Sequence, residues 1–267
     1  MPAWDSEQYL QFVEERTQPA RDLAARVSLA APRRVIDLGC GPGNSTRVLA
    51  NRWPLAELTG LDSSAQMIES ARRADPSRQW IVGDIAAWAE SPQPSFDVIF
   101  SNAALQWVDD HLTLFPRLMK RLNPGGARAI QVPGNLDAPA HSAMRQIAAL
   151  HAWRDHFPKE GVREWHVHDL PFYYDVLAPS AGRLELWETE YLHVMPSAQA
   201  IVEWYKGTGL RPFLQGLASD ELRERFIEEY LEQIRQLYPP RGNGRVLFPF
   251  RRLFMIAYRP AQDARNS

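Results

Sequence analysis

Eleven residues limit the folds open to this chain more than any other stretch: Val35-Ile36-Asp37-Leu38-Gly39-Cys40-Gly41-Pro42-Gly43-Asn44-Ser45. Val35, Ile36 and Leu38 are strand formers. Gly39, Gly41 and Gly43 follow at alternate positions, where a Cβ would obstruct a tight turn or an approaching ligand. Asn44 or Ser45 can then cap a helix running to about Arg52. A strand that ends in such a turn and feeds a helix, with backbone N–H groups free at the helix start, is a ligand position in open α/β sheets.

The downstream pattern supports that architecture. Apolar runs predict strands at 34–38, 57–61, 79–82, 96–101 and 127–132, with helices between them at 45–52, 65–74 and 111–122. Alternation of this kind implies an α/β, Rossmann-like doubly wound sheet, mostly parallel. Pro54, Pro76 and Asn123-Pro124-Gly125-Gly126 fall where helices must stop, and Pro19 is expected to open a second N-terminal helix at Ala20. After Pro133-Gly134-Asn135 the rhythm breaks, and 142–157 reads as a helix followed by a loop rich in His, Trp and Tyr. A long strand at 183–195, a helical insertion at 197–238 and a last strand at 246–258 complete the reading; the two long strands are expected to pair antiparallel. The expectation is one domain over 1–267: an N-terminal helical segment (1–30), a cofactor-binding core (31–135), a lid (136–182), a helical substrate insertion (196–243) and the last strand (244–258).

Composition narrows the partners. Lys and Arg total 30 against 32 Asp and Glu, so no global positive field draws the chain to nucleic acid. Cys40 is the single cysteine and has no partner for a disulfide or a zinc site. His166, His168, His151, His156 and His193 show no ligand spacing, and no metal is expected. The start, Met1-Pro2-Ala3-Trp4-Asp5, lacks a signal pattern, and no run approaches the roughly 18 apolar residues of a membrane span, so the expected location is the cytoplasm.

Three acids recur at or just beyond strand ends: Asp37, Asp62 and Asp84. An acid about 20 residues after the glycine turn is placed to accept ribose hydroxyls, as Asp62 is. Asp84 with Ile85 offers an acceptor and an apolar surface for a base, although either acid can instead cap the helix that follows. A nicotinamide cofactor is the rival, but Asn44 stands where G-x-G-x-x-G requires its third glycine. Asp37 also puts negative charge beside the turn, a poor neighbour for a pyrophosphate and a good one for an ammonium or sulfonium.

Asp-x-Gly-x-Gly-x-Gly with Asp62 and Asp84 resembles the class I S-adenosylmethionine-dependent methyltransferases. The resemblance implies S-adenosylmethionine as cofactor, with Asp37, Gly39, Gly41 and Gly43 at its methionine portion, Asp62 at the ribose, and Asp84 and Ile85 at the adenine. It also implies that Asn102, Gln106 and Trp107, just past the fourth strand, form the floor between cofactor and acceptor. The amide- and adenine-methylating signature [D/N]-P-P-[Y/F] is replaced here by Asn102-Ala103-Ala104-Leu105. The N-terminal pattern Trp4, Tyr9, Phe12, Arg16, Pro19 and the turn Thr208-Gly209-Leu210-Arg211-Pro212 are similar to the branch of that family that esterifies small polycarboxylates, and the similarity spans nearly the whole chain. A small anionic polycarboxylate is therefore the expected acceptor. Arg16, Arg211 and Arg251 are expected to bind its carboxylates, and Tyr9, Trp107 and Tyr205 to shape the pocket. Gln106 and Trp107 are positioning candidates, and no general base is expected. A carrier-bound carboxyl acceptor, a nicotinamide oxidoreductase and a non-catalytic cofactor-binding module are the competing readings.

Overall fold

The computed structural model describes residues 12–92, 95–158, 162 and 165–261; Tyr9 lies outside them. Strands β1 (Arg34–Leu38), β2 (Glu57–Asp62), β3 (Gln79–Val82), β4 (Phe96–Asn102), β5 (Leu122–Pro133), β6 (Arg183–Met195) and β7 (Val246–Tyr258) form one sheet in the order β3-β2-β1-β4-β5-β7-β6. β1 to β5 pair parallel, and β7 runs antiparallel between β5 and β6. The continuous apolar runs of β1 and β4 fit strands covered on both faces, which parallel sheets require.

The helices are α1 (Val13–Arg26), α2 (Asn44–Arg52), α3 (Ala65–Ala74), α4 (Ile85–Glu90), α5 (His111–Lys120), α6 (Pro139–Ala149), α7 (Leu170–Leu177), α8 (Ala198–Lys206), α9 (Arg211–Gly216) and α10 (Asp220–Leu237). On one face of the sheet, Ala20 and Leu23 of α1 and Leu49 of α2 meet Val98, Phe100, Phe254 and Ile256. On the other, α4, α5 and α7 supply Trp88, Leu114, Phe115 and Leu177 against Ile99, Ile130, Leu253 and Met255. A separate core joins α6, α8, α9 and α10 to the upper end of β7 through Met144, Trp204, Phe213, Phe226 and Phe248. The insertion is thus a lid with its own apolar interior, standing over the carboxyl ends of β4 and β5. No helix among the described residues is long and apolar enough to cross a membrane.

The structure corrects four local expectations. Pro19 does not open a helix but lies within α1. Its missing N–H and its ring disfavour that position, yet burial of Pro19, Ala20, Leu23 and Ala24 carries the helix through. The stop at 123–126 lies within β5, where a register shift against β4 between Phe96 and Val98 marks an irregularity able to hold Pro124. The 142–157 helix starts at Pro139 and ends at Ala149, and the loop after it contains α7. Finally, α4 follows Asp84, where the apolar pattern marks no helix and only the alternative role of Asp84 as a cap points to one.

Candidate cofactor and acceptor site

Asp37 is fully buried at the carboxyl end of β1. Its Oδ2 accepts from the hydroxyls of Ser45 and Thr46, both at 2.6 Å, in the first turn of α2. This is why α2 begins without a side-chain cap: Gly43 is its N-cap in the left-handed region, and Ser45, expected as a cap, is committed to Asp37. The other oxygen, Oδ1, is buried without a partner among the described residues. Burial pushes the carboxyl up to about 6, against the lowering effect of the two hydroxyls and with a further push from Asp62.

Asp62 ties the turn together. Its Oδ2 accepts from the Gly41 N–H at 2.9 Å and its Oδ1 from the Ser64 N–H at 2.8 Å. Gly39 and Cys40 both donate to the Leu61 carbonyl, and Gly43 donates to that of Cys40. The backbone donors of Gly39, Cys40, Gly41 and Gly43 are therefore spent inside the turn. With those donors engaged and two carboxylates beside it, the turn is a poor pyrophosphate cradle and a suitable surface for a cation and for hydroxyl donors.

The turn presses on the segment that follows β4. Gly39 has φ +73°, and a Cβ there would lie 2.1 Å from the Ala104 Cβ. Ala103 itself holds φ 56°, in the left-handed region, with its N–H on the Gln131 carbonyl. Such a conformation in a non-glycine residue persists where the surroundings fix it. Next to it, Gln106 is buried with Nε2 on the Ala103 carbonyl and Oε1 without a partner among the described residues, while its own carbonyl takes the His166 N–H. Trp107 meets Trp165 edge to face at 6.0 Å. Beneath this segment His111 lies buried between the Leu105 carbonyl and the Tyr173 hydroxyl.

Asp84 is the N-cap of α4, accepting from the Ala87 N–H at 2.9 Å, and is otherwise exposed. Ile85 is buried beside the Gly39 turn. Cys40 is buried under that turn against Trp80, and burial with the nearby Asp37 and Asp62 carboxylates drives its thiol far up.

On the acceptor side, Arg16 of α1 is buried; its Nη2 donates to the Trp204 carbonyl, and its own carbonyl takes a long bond from Asn102 Nδ2. Tyr205 is fully buried, its hydroxyl accepting from Asn135 Nδ2, so it stands behind Asn135 in the wall. Arg211 opens α9, half-buried, with its guanidinium pulled down by that burial. Arg251 is exposed, with Nε on the Gly134 carbonyl and Nη1 3.9 Å from Glu188. Its neighbour Arg252 is buried and turned to the opposite face, where Nη1 donates to Gln131 Oε1. The structure therefore brings Asp37, Asp62, Asn102, Gln106 and Arg16 to the carboxyl ends of β1, β2 and β4. Asn135, Gln131 and His193, which sequence reasoning missed, stand beside them with Arg252, whose charge next to Arg251 the sequence already shows. The period-two rule puts Arg251 and Arg252 on opposite faces, but which face each takes becomes readable only once the register of β7 is known.

A methyltransferase-domain family matches residues 35–126. The chain is 52% identical over 262 residues to trans-aconitate 2-methyltransferase of Azoarcus sp. strain BH72, covering 97% of this chain and all of that protein. It is 48% identical to the protein of the same name from Rhodopseudomonas palustris strain BisB18, covering 96% and 99% of the two. Among solved structures it superposes on the YcgJ protein of Bacillus subtilis with a TM-score of 0.58 at 16% identity, covering 91% of this chain and 99% of that one. It also superposes on a phosphoethanolamine N-methyltransferase of Haemonchus contortus, solved with S-adenosylhomocysteine, with a TM-score of 0.55 at 16% identity, covering 92% of this chain and 53% of that one. The cofactor turn and the near-full-length identity agree, and the chain belongs to the trans-aconitate 2-methyltransferase family.

Proposed function

We propose that this chain transfers a methyl group from S-adenosylmethionine to a carboxylate of trans-aconitate, giving a monomethyl ester and S-adenosylhomocysteine. The observation that carries the cofactor half is the Oδ1 of Asp37, a buried acceptor without a partner among the described residues, beside a turn with its own donors engaged. It is placed to take the cationic amino group of the methionine portion. Asp62 keeps lone pairs for the ribose hydroxyls, and Ile85 with Asp84 faces the adenine.

The bound donor supplies an electrophilic methyl on a sulfonium; a carboxylate oxygen of the acceptor forms the new C–O bond, and the electron pair of the broken C–S bond stays on sulfur. The acceptor carboxyl, with a pKa of about 4, is already ionised at neutral pH, so the protein needs no general base. What the chain contributes is alignment and exclusion of water by the Gln106-Trp107 segment and the lid above it. The test is incubation of the protein with labelled methyl donor and trans-aconitate, cis-aconitate or citrate. Base-labile label appearing preferentially in trans-aconitate is expected; no label in trans-aconitate overturns the proposal.

Asp84 allows its two roles to be separated. Asp84→Ser retains a good N-cap for α4, so stability should move by less than about 0.5 kcal/mol. Loss of the charged acceptor at the adenine should weaken S-adenosylhomocysteine binding roughly tenfold, the worth of one charged hydrogen bond. Calorimetric titration and a thermal melt of the same sample give both numbers; an unchanged affinity would leave Asp84 as a cap alone.

A further inference from the structure

Three neighbouring strands place polar side chains in one row on the sheet face that α1 covers: Asn102 on β4, Gln131 on β5 and Arg252 on β7. Asn102 and Gln131 are register partners, and Arg252 is the partner of Pro133, two residues beyond Gln131 on the same face. Gln131 and Arg252 are buried and joined by the Nη1 to Oε1 bond of 3.3 Å. That bond leaves the Gln131 Nε2 buried with no partner among the described residues, along with Asn102 Oδ1, Asn135 Oδ1 and His193 Nε2. Buried polar atoms are rarely left unpaired, and several gathered in one place mark where a polar ligand sits.

The walls give that ligand its sign. The Arg252 guanidinium lies 4.7 Å from the Phe250 ring centroid. His193, beside it, is held neutral by burial and by the Arg252 charge. Arg16 reaches the same wall from α1, its guanidinium 5.1 Å from the Trp204 ring, and Trp204 in turn contacts both Phe250 and His193. Buried guanidinium planes on one sheet face, beside the side-chain amide of Gln131, suit carboxylates held by two parallel hydrogen bonds.

We propose that Arg252 and Arg16, with the Gln131 Nε2, clamp the two carboxylates of the acceptor that are not methylated, so that this row sets the preference for a tricarboxylate. The inference rests on the reading that the acceptor is a tricarboxylate. Gln131 holds Arg252 by its carbonyl oxygen and offers its amino group to the same ligand, so one amide sets the direction of both contacts. Arg251, one residue away, faces Gly134 and Glu188 on the far side of the sheet and takes no part.

The test measures initial rates for wild type, Arg252→Ala, Arg252→Lys and Gln131→Leu on trans-aconitate and on mesaconate, a dicarboxylate that lacks one of its carboxylates. Arg252→Ala should raise KM for trans-aconitate about a hundredfold, the usual cost of removing one partner of a desolvated charged contact. Preference for trans-aconitate over mesaconate should collapse toward unity. Gln131→Leu should raise KM about tenfold, and Arg252→Lys should recover only part of the affinity because its single ammonium lacks the planar fork. S-adenosylhomocysteine affinity, measured on every variant, should stay within about twofold of wild type. An unchanged KM in Arg252→Ala, or a loss of S-adenosylhomocysteine binding in step with KM, overturns the clamp. A wild-type protein that esterifies mesaconate and not trans-aconitate overturns the tricarboxylate reading instead.

Discussion

Asp37→Asn is expected to weaken S-adenosylmethionine binding by two to three orders of magnitude while making the ligand-free protein more stable at neutral pH. The first effect follows from the proposed pairing of the buried Asp37 Oδ1 with the ammonium of the methyl donor: removing one member of a desolvated ion pair costs about 3–5 kcal/mol. The second follows from the raised pKa. The carboxyl moves from an ordinary 3.8 to about 6 on folding because burial disfavours its charge. Between these values the unfolded chain is ionised and the folded chain holds a proton, so stability falls as pH rises from about 4 to about 6 and is level above that. At roughly 1.4 kcal/mol per unit the loss approaches 3 kcal/mol. Asn carries no charge to desolvate and should melt several degrees higher than wild type at pH 8, with the difference vanishing near pH 4. In wild type, cofactor affinity should also drop about tenfold per pH unit below about 6, a dependence that Asn abolishes. Melts across that range and calorimetric titration check all of this; an Asn variant that binds the cofactor as wild type does would remove Asp37 from the site.

Gly39→Ala should be close to inactive, for a different reason. The residue sits at φ +73°, a region that costs an L side chain about 1–2 kcal/mol. Its new Cβ would meet the Ala104 Cβ at 2.1 Å, so the turn and the segment after β4 must part. Overpacking of this kind adds typically 1–3 kcal/mol. A total of about 3–4 kcal/mol corresponds to a melting point lower by roughly 10 °C for a domain of this size. Activity should fall further than stability, because Ala103, Gln106 and Trp107 shift together with the wall they abut. Melting and turnover at a temperature where the variant is still folded separate the two losses; full turnover at that temperature would show that the turn and the floor are independent.

How much of this was legible beforehand depends on where each residue's constraint comes from. β1, β2, β4 and β7 announce themselves because buried strands need apolar runs, the edge strand β6 shows in its spaced apolar residues instead, and the acids at Asp37, Asp62 and Asp84 follow from position alone. The fate of Ser45 was not legible, since a hydroxyl in a first turn looks like a cap whether it bonds backbone or, as here, a carboxylate eight residues earlier. Pro19 was misread because local propensity says nothing about a helix held by burial of Leu23 and Ala24 against the sheet. α4 is six residues long, too short to show a period, and Asp84 suits a cap and a cofactor contact equally well. Which of Arg251 and Arg252 lies on the face that α1 covers is not legible, because residues 253–257 are apolar on both faces and such a run hides which face an adjacent arginine takes. The lid interior, with Trp204, Phe213 and Phe226 meeting across distant segments, has no local signature at all.

Cys40 gives the molecule a chemical clock. The chain's single thiol lies 3% exposed beneath the glycine turn, packed with Trp80, Ile68 and Ala71. Held protonated and covered, it is inert to alkylating reagents while the turn is shut, so labelling proceeds only through transient opening. The rate of alkylation in native buffer is then a direct reading of how often the cofactor turn breathes. Ligand that binds only the shut form should slow that rate in proportion to 1 + [L]/Kd, turning a mass measurement on unmodified protein into a binding isotherm. Alkylation as fast as for a free thiol, or unaffected by saturating S-adenosylhomocysteine, would show that the turn opens without regard to its ligand.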